Sequence, residues 1–169
     1  MREVRYNQYA EEAIQGLSQG AFLTVKDGDK VNTMTIGWGN IGFIWGKPVF
    51  MVMVRGSRYT YEFMEKNDEF TVSIPFSNNM KDELKFCGTK SGRDYDKFQE
   101  CNLKAIPGKK VAVPLVAGCD LHYECKIKFK QEMDPKDLDI DYNEKWYTEG
   151  NYHTLYFGEI LASFYDDEI

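Results

Sequence analysis

The sequence predicts a mainly β fold with small helices, and three observations support this prediction. Apolar and polar residues alternate in several short segments, which is the two-residue period of a half-buried strand. Aromatic residues make up 15% of the chain, and aromatic side chains are enriched in strands. Strands and helices do not alternate in the order that a parallel β-α-β sheet requires. With 169 residues, 43% of them hydrophobic, the chain is expected to form a single domain over residues 1–169.

The chain is predicted to open with a helix and a hairpin. A helix over residues 9–19 places Ala10, Ile14 and Leu17 on one face, which is the spacing of an amphipathic helix. A short strand over residues 21–25 follows, and the polar turn after it leads into the next strand.

The central stretch covers residues 31–60. Residues 31–39 alternate and predict a strand, whereas residues 48–54 form an apolar run typical of a strand that is buried on both faces. A glycine-rich connection is predicted between these two strands. Residues 61–65 have the pattern of a helix.

Two cations and two hydroxyls lie between that second strand and the helix. Forked guanidinium donors match phosphate oxygens, and a helix N-terminus attracts anions, so this cluster is a candidate phosphate cradle. The alternative is a solvated loop in which one hydroxyl caps the helix. The cluster consists of Arg55, Ser57, Arg58 and Thr60.

The remaining elements are predicted from the same patterns, and they alternate short strands with loops and short helices. In order they are a strand over 69–75, a helix over 79–87 stopped by Gly88, a tight loop with one helical turn over 91–98, a short strand with an irregular connection over 103–116, a half-exposed strand over 121–131, an acidic loop over 134–150, and a final strand over 153–165 with a bulge or kink at Gly158.

Net charge is −6 and is unevenly distributed. After position 131 the chain has 11 acidic residues and only two lysines, so the first 131 residues are net basic. A mildly basic body suits a phosphorylated small molecule, whereas nucleic-acid binding would need a stronger basic stripe. We therefore expect no nucleic-acid partner.

The cysteines and the hydropathy pattern define the expected compartment. The four cysteines form no C-x-x-C pair, so we expect reduced thiols and no metal site. No apolar run is long enough to span a membrane, and the N-terminus has no apolar signal region. The expected location is the cytoplasm, without membrane attachment.

Three sequence blocks carry a resemblance to a known family. They are NTMTIGWG, the R-x-S-R-x-T exit of the second central strand, and CGTKSGRDYDKF. In this order and spacing they resemble the flavin reductase-like, FMN-binding split-barrel family, and most closely its flavoredoxin-type branch. The resemblance implies a split β-barrel of Greek-key type, FMN as cofactor, and a homodimer with the flavin at the dimer interface.

The resemblance also implies roles for particular residues. The first block would line the isoalloxazine ring, the cation and hydroxyl cluster would bind the phosphate, and the third block would contact the phosphate or the ring edge. The implied cofactor-binding residues are Asn32, Thr33, Met34, Thr35, Trp38, Arg55, Ser57, Arg58, Thr60, Ser91, Gly92 and Lys97.

His153 is the candidate catalytic residue. Its segment, HTLYFGEI, resembles the family segment that lies near the flavin and its nicotinamide partner, although Asn151 and Tyr152 replace the usual Gly-Asp before the histidine. Without the resemblance, the first block is an ordinary amphipathic strand with solvent-facing threonines, the third is a surface turn with internal ion pairs, and His153 is structural.

The function predicted from these residues is an NAD(P)H:flavin oxidoreductase that transfers reducing equivalents through FMN, with NADH or NADPH as reductant. One alternative is an FMN electron-transfer protein reduced by a redox protein partner that docks on the acidic segment. The other is a non-enzymatic barrel that binds a small ligand.

Overall fold

In the computed structural model, which describes residues 1–77 and 79–167, an antiparallel sheet of eight strands forms the body of the protein. Short helices lie between the strands. The elements are, in chain order, β1 (Arg2–Val4), α1 (Ala10–Gln19), β2 (Ala21–Asp27), β3 (Lys30–Ile36), β4 (Gly39–Ile44), β5 (Lys47–Arg55), α2 (Tyr59–Lys66), β6 (Glu69–Ile74), α3 (Lys81–Thr89), α4 (Lys97–Glu100), β7 (Ala105–Ile106), β8 (Leu115–Val116), β9 (Leu121–Glu132), a 3-10 turn (Pro135–Asp137), α5 (Ile140–Trp146) and β10 (His153–Tyr165).

The sheet is curled into a barrel. Its strand order is β3-β2-β6-β9-β10-β5-β4, with β1 added beside β10, so β3 and β4 lie at opposite ends of the path. Seven strands in a flat sheet would span about 29 Å at a spacing of roughly 4.8 Å. However, β3 ends at Ile36 and β4 begins at Gly39, and three Cα steps cover at most about 11 Å. The end of β3 and the start of β4 therefore come together at this corner, which we call the seam.

Large aromatic side chains fill the barrel interior. Phe50 and Tyr123 pack edge to face, with ring centroids 5.2 Å apart, and both are fully buried. The Phe70 ring packs directly against Gly158, where a Cβ would lie only 2.5 Å from the ring. The register of β10 against β9 shifts between Phe157 and Gly158, which confirms the predicted bulge.

The predicted mainly β fold with small helices is confirmed. The helix at 10–19 and the strands β2, β3, β5 and β6 match the predicted elements within a few residues, and β10 has the predicted bounds. Within the described residues, no helix is long and apolar enough to cross a membrane.

The prediction of a glycine-rich connection after the first central strand was wrong in part. Residues 39–44 form the edge strand β4, paired with β5 from Gly39 opposite Val52 to Ile44 opposite Lys47. A Cβ at Gly39 would lie 2.6 Å from the carbonyl oxygen of Met51, so glycine is needed for close strand approach and does not mark a loop.

The acidic segment is also more ordered than predicted. Asp139 caps α5 by accepting a hydrogen bond from the backbone N–H of Asp141, and Asp134 caps the preceding 3-10 turn. Some of the acidic residues are therefore helix N-caps. The prediction treated them only as charged residues of a loop. Two smaller predictions were wrong: α3 continues through Gly88 to Thr89, and only the second half of β9 is exposed.

A buried carboxylate holds the loop between β7 and β8 against the barrel. Glu124 on β9 is fully buried and accepts hydrogen bonds from the backbone N–H groups of Lys109, Lys110 and Val111. Glu69 accepts one more, from Ala112. These carboxylates satisfy backbone donors that have no strand partner.

Candidate functional site

Two adjoining cavities lie beside the seam. The first, here called the seam cavity, measures about 150 Å³ and is lined by residues 34–38 together with Met53, Arg55, Arg58 and His153. The second, the cationic cavity, measures about 140 Å³. Met34 and Arg58 line both, so one elongated ligand can occupy the two cavities together.

The cationic cavity has the donor set of an anion site. Among its described lining residues there is no carboxylate, while four cations and several hydroxyls are present. Guanidinium, ammonium and hydroxyl donors are the groups that bind phosphate oxygens. The cations are Arg58, Lys90, Arg93 and Lys97, and the predicted hydroxyls are Ser57, Thr60 and Ser91.

Strand β3 presents part of its backbone to the site because it is an edge strand. Nζ of Lys97, outside the sheet, donates to the carbonyl oxygen of Thr33 at 2.9 Å. Alternate residues of a strand direct their backbone groups to the same side, so Thr33 and Thr35 both direct theirs away from β2. The N–H of Thr35 is therefore placed at the edge that borders the seam cavity, where it can serve the edge of a ring.

The floor of the cationic cavity depends on two close contacts. Nδ2 of Asn32 donates to Oγ1 of Thr60 at 2.8 Å, and both side chains are buried. Gly92 packs directly on this pair, because an added Cβ would collide with Oδ1 of Asn32 and lie 3.0 Å from the Tyr59 ring. Glycine at position 92 therefore lets the third sequence block approach β3.

Lys97 acts as a buried support. Its Nζ donates to the carbonyl oxygens of Thr33 and Cys87, at 2.9 and 2.8 Å, and its side chain is only 5% exposed. Burial lowers the pKa of Lys97, and the nearby Arg58 charge lowers it further, while Cys87 and Cys101 act in the opposite direction. The ammonium thus ties α3 to β3 and contributes positive charge to the wall of the cationic cavity.

Arg55, which lines the seam cavity, also anchors the acidic segment. Its two terminal nitrogens donate to the carbonyl oxygens of Asn151 and Trp146, at 2.8 and 2.9 Å, and its guanidinium lies 4.7 Å from the centre of the Tyr147 ring. Asn151 also donates to Oγ of Ser57 at 2.8 Å. Arg55 and Ser57 line the cavities while being bonded to this segment, an arrangement that the sequence did not indicate.

Arg58 makes fewer hydrogen bonds within the protein than Arg55 does. Its Nη1 donates to the carbonyl oxygen of Gly88 at 3.2 Å, at the C-terminal end of α3. It is also the cation that lines both cavities. Of the two arginines in the predicted cluster, Arg58 is therefore better placed to bind an anion directly.

His153 is a neutral side chain within the seam cavity. Nδ1 lies 2.7 Å from the Tyr147 hydroxyl, and the ring centroid is 5.4 Å from that of Trp38. Burial, together with the charges of Arg55 and Arg58, lowers the pKa of His153 to about 4. At neutral pH the imidazole can donate or accept a hydrogen bond, but it holds no ionisable proton to give.

The free energy of unfolding should decrease as the pH is lowered, because both histidines are buried as neutral rings. His122, hydrogen-bonded to Ser73, also has its pKa lowered to about 4 by burial. The unfolded chain takes up these protons near pH 6.5, so between about pH 6.5 and 4 it binds more protons than the folded protein and is favoured as pH falls. We expect the free energy of unfolding to drop by up to about 1.4 kcal/mol per pH unit for each histidine.

Urea unfolding between about pH 7 and 5 measures this dependence. His153→Gln removes one titrating group and should reduce the slope by about one proton. A slope that stays unchanged in this variant would show that His153 is not the group responsible.

The predicted site residues converge in space. Twelve of the thirteen line one or both cavities; Thr33 is the exception, being fully buried and contributing its backbone carbonyl to Lys97. The predicted roles in cofactor binding and catalysis stay predictions. Sequence reasoning had left out the cations Lys90 and Arg93, although both belong to the third block.

Two sequence comparisons relate this chain to known proteins. The family model for the flavin reductase like domain matches residues 18–168. A curated relative, an uncharacterized protein of Archaeoglobus fulgidus, is 30% identical over 140 residues, which cover 83% of this chain and 68% of the relative.

Two solved structures illustrate the range of the family. Flavoredoxin of Desulfovibrio vulgaris (Miyazaki F) is 26% identical, with a TM-score of 0.69 over 88% of this chain and 69% of that chain. An NADH:FAD oxidoreductase of Streptomyces globisporus C-1027 shares the fold, with 17% identity and a TM-score of 0.68 over 88% of this chain and 76% of that chain. With the family model matching most of its length, the chain belongs to the flavin reductase like family of flavin-binding barrels.

Proposed function

We propose that this protein binds FMN across the two cavities and transfers reducing equivalents through it as an NAD(P)H:flavin oxidoreductase. The observation that carries the proposal is the cationic cavity, with its four cations and no carboxylate among the described lining residues. A phosphate monoester is the anion that this donor set fits, and the adjoining seam cavity is where a flat ring attached to it would lie.

The chain's own residues would hold the cofactor in two ways. Arg58, with Ser57, Thr60 and Ser91, would bind the phosphate, and residues 34–38 with Met53 would pack against the ring system. The edge N–H of Thr35 and the neutral imidazole of His153 would offer hydrogen bonds to the polar edge of the ring. Bound FMN would supply the capacity to accept a hydride or single electrons.

A second candidate is an electron-transfer protein that a redox partner reduces. A specific observation favours it: exposed acidic residues lie in the segment that Arg55, a residue lining the seam cavity, holds by hydrogen bonds. A basic protein partner could approach the cavity there. The sequence similarity to a flavoredoxin supports this candidate as well.

Titration of the flavin-free protein with FMN, followed by visible absorbance, tests the common part of both candidates. We expect one FMN per chain and much weaker binding of riboflavin, which has the same ring but no phosphate. Equal affinity for FMN and riboflavin would exclude the cationic cavity as the phosphate site. A protein that takes up neither flavin would favour a non-enzymatic ligand-binding barrel.

Anaerobic addition of NADH or NADPH to the FMN complex separates the two candidates. Rapid bleaching of the flavin band identifies a reductase. A band that bleaches with a chemical reductant but persists with both nicotinamides identifies the electron carrier.

An exposed aromatic patch supports assembly of two copies into a homodimer. Phe43 and Trp45, at the end of the edge strand β4, are 64% and 61% exposed. Trp45 contacts Phe129 and Phe157 at centroid distances of 6.0 and 6.3 Å, so the patch is contiguous. Contiguous exposed aromatic surface of this kind is typical of protein interfaces.

Replacing Trp45 by glutamate should dissociate this dimer. We expect light scattering to give about twice the 19.7 kDa chain mass for the native protein and the monomer mass for the variant. Ile14→Glu is the matched control, because Ile14 is 56% exposed on α1, away from the patch. A Trp45→Glu protein that remains dimeric would rule out this face.

A further inference from the structure

A second concave surface, here called the aromatic cup, lies next to the seam cavity. It has a volume of about 280 Å³, and its lining is almost entirely apolar. One wall comes from the seam and the rest from the acidic segment. The lining residues are Trp38, Met133, Leu138, Tyr142, Trp146 and Tyr147.

The walls of the cup are fixed by contacts behind them. Arg55 holds the carbonyl oxygen of Trp146 at 2.9 Å, and the Tyr147 ring is stacked on Tyr152 with centroids 4.8 Å apart. The Tyr152 hydroxyl in turn donates to Oδ1 of Asn143 at 2.7 Å, which holds α5 in place. The cup is therefore preformed, so a ligand would not have to order it.

The cup and the seam cavity share a wall. Trp38 lines both, and its ring meets the Trp146 ring nearly at right angles, with centroids 5.0 Å apart. Tyr147, also in the cup, lies within hydrogen-bond distance of His153 in the seam cavity. A molecule in the cup and one in the seam cavity would thus both contact Trp38.

Size and charge define the class of molecule that fits. An apolar cavity of about 150 Å³ accepts benzene, so the larger cup can accept one ring or two fused rings. Exposed acidic residues flank the lining, with Asp137 and Asp139 beside Leu138, and Asp141 beside Tyr142. Two cations lie over rings of the lining, Lys145 over Trp146 at 5.0 Å and Arg55 over Tyr147 at 4.7 Å. Together with Lys136 they make three cations against the six acidic residues of positions 134–150. This net negative surround disfavours phosphorylated or carboxylated ligands.

We propose that the aromatic cup binds an uncharged aromatic molecule of one or two fused rings. Its role would be to hold a second small ligand beside the flavin site, and that role rests on the proposed function. Flat apolar rings are recognised here by the Trp and Tyr side chains, while the acidic surround selects against anions.

The three tryptophans provide an internal control for a binding experiment. Trp38 and Trp146 line the cup, whereas Trp45 lies in the separate aromatic patch. Titration of ¹⁵N-labelled protein with 2-naphthol should shift the indole N–H signals of Trp38 and Trp146 and leave that of Trp45 in place. Equal shifts of all three signals, or none, would overturn the proposal.

Two variants and a charged probe complete the test. Leu138→Asp, which adds a carboxylate to the lining, should weaken 2-naphthol binding about tenfold or more. Tyr142→Ala should also weaken 2-naphthol binding, and this position is 60% exposed and therefore tolerant of change. Phe43→Ala, outside the cup, should have no effect. The anion 2-naphthoate should bind at least about tenfold more weakly than 2-naphthol. Unchanged affinity in both cup variants, or equal affinity for the two probes, contradicts the proposal.

FMN titration of the same samples keeps this inference distinct from the proposed function. FMN binding without 2-naphthol binding would overturn the cup and leave the flavin site standing. Binding of 2-naphthol with no FMN binding would confirm the cup as an aromatic site and overturn the proposed function.

Discussion

Replacing Arg58 by alanine is expected to weaken FMN binding by about 1.5–3 kcal/mol, the scale of a lost hydrogen bond to a charged group. This corresponds to roughly a 10- to 150-fold higher Kd. Arg58 is the cation that lines both cavities, and its hydrogen bond to the Gly88 carbonyl leaves other guanidinium donors for a ligand. Lys90, Arg93 and Lys97 remain in the variant, so binding should be weakened and not abolished.

Flavin absorbance titrations of three variants measure this effect. Arg58→Lys keeps the charge but loses the fork, and we expect an intermediate Kd. Arg5→Ala removes an exposed arginine elsewhere and serves as the control. If Arg58→Ala binds FMN as tightly as the native protein, the phosphate does not lie in the cationic cavity.

Replacing Glu124 by alanine should have the largest effect on folding. The change removes one buried carboxylate that accepts three backbone hydrogen bonds, and it leaves the N–H groups of Lys109, Lys110 and Val111 without a partner. An unsatisfied buried donor, such as the N–H of Val111, costs about 1–3 kcal/mol, whereas Lys109 and Lys110 are exposed residues whose N–H groups can bond to water at lower cost. We expect a loss of about 3–5 kcal/mol in the free energy of unfolding.

Urea unfolding near neutral pH provides the measurement. Glu124→Gln retains one acceptor oxygen and should lose less stability than Glu124→Ala. Glu132→Ala, at the exposed end of the same strand, is the matched control and should change stability by less than about 0.5 kcal/mol. Equal stabilities of the Glu124 and Glu132 variants would mean that the loop is held by other contacts.

The sequence predicted elements whose pattern is local and regular. Strand β10 has the predicted bounds because its alternation is long, and the bulge at Gly158 was marked by a glycine within a strand. Strand β4 was missed because its glycines serve close packing on β5, which depends on a neighbour far from it in the sheet path. Helix α5 was missed because its capping residue, Asp139, was interpreted only as part of an acidic loop.

The same distinction applies to the candidate site. The order of residues along the chain brought together the first cluster of cations and hydroxyls, residues 55–60, and the family resemblance added Ser91 and Lys97. Lys90 and Arg93 were not predicted. The sequence did not reveal that Arg55 donates hydrogen bonds to the carbonyl oxygens of Trp146 and Asn151. It also did not reveal that Lys97 is buried and bonded to two backbone carbonyls. Hydrogen-bond partners of this kind are set by tertiary contacts across large sequence separations, which no local pattern encodes.

A ligand bound at the seam would also stabilise the barrel. The end of β3 and the start of β4 come together there without pairing in a ladder, and the residues that turn the corner, Gly37 and Trp38, line the seam cavity. A cofactor that accepts hydrogen bonds from the β3 edge would supply partners that β4 does not provide. The melting temperature of the protein would therefore rise with the cofactor concentration. Amide protons of β3 would then exchange with solvent slowly in the loaded protein and quickly in the empty one, while those of the central strands would change little.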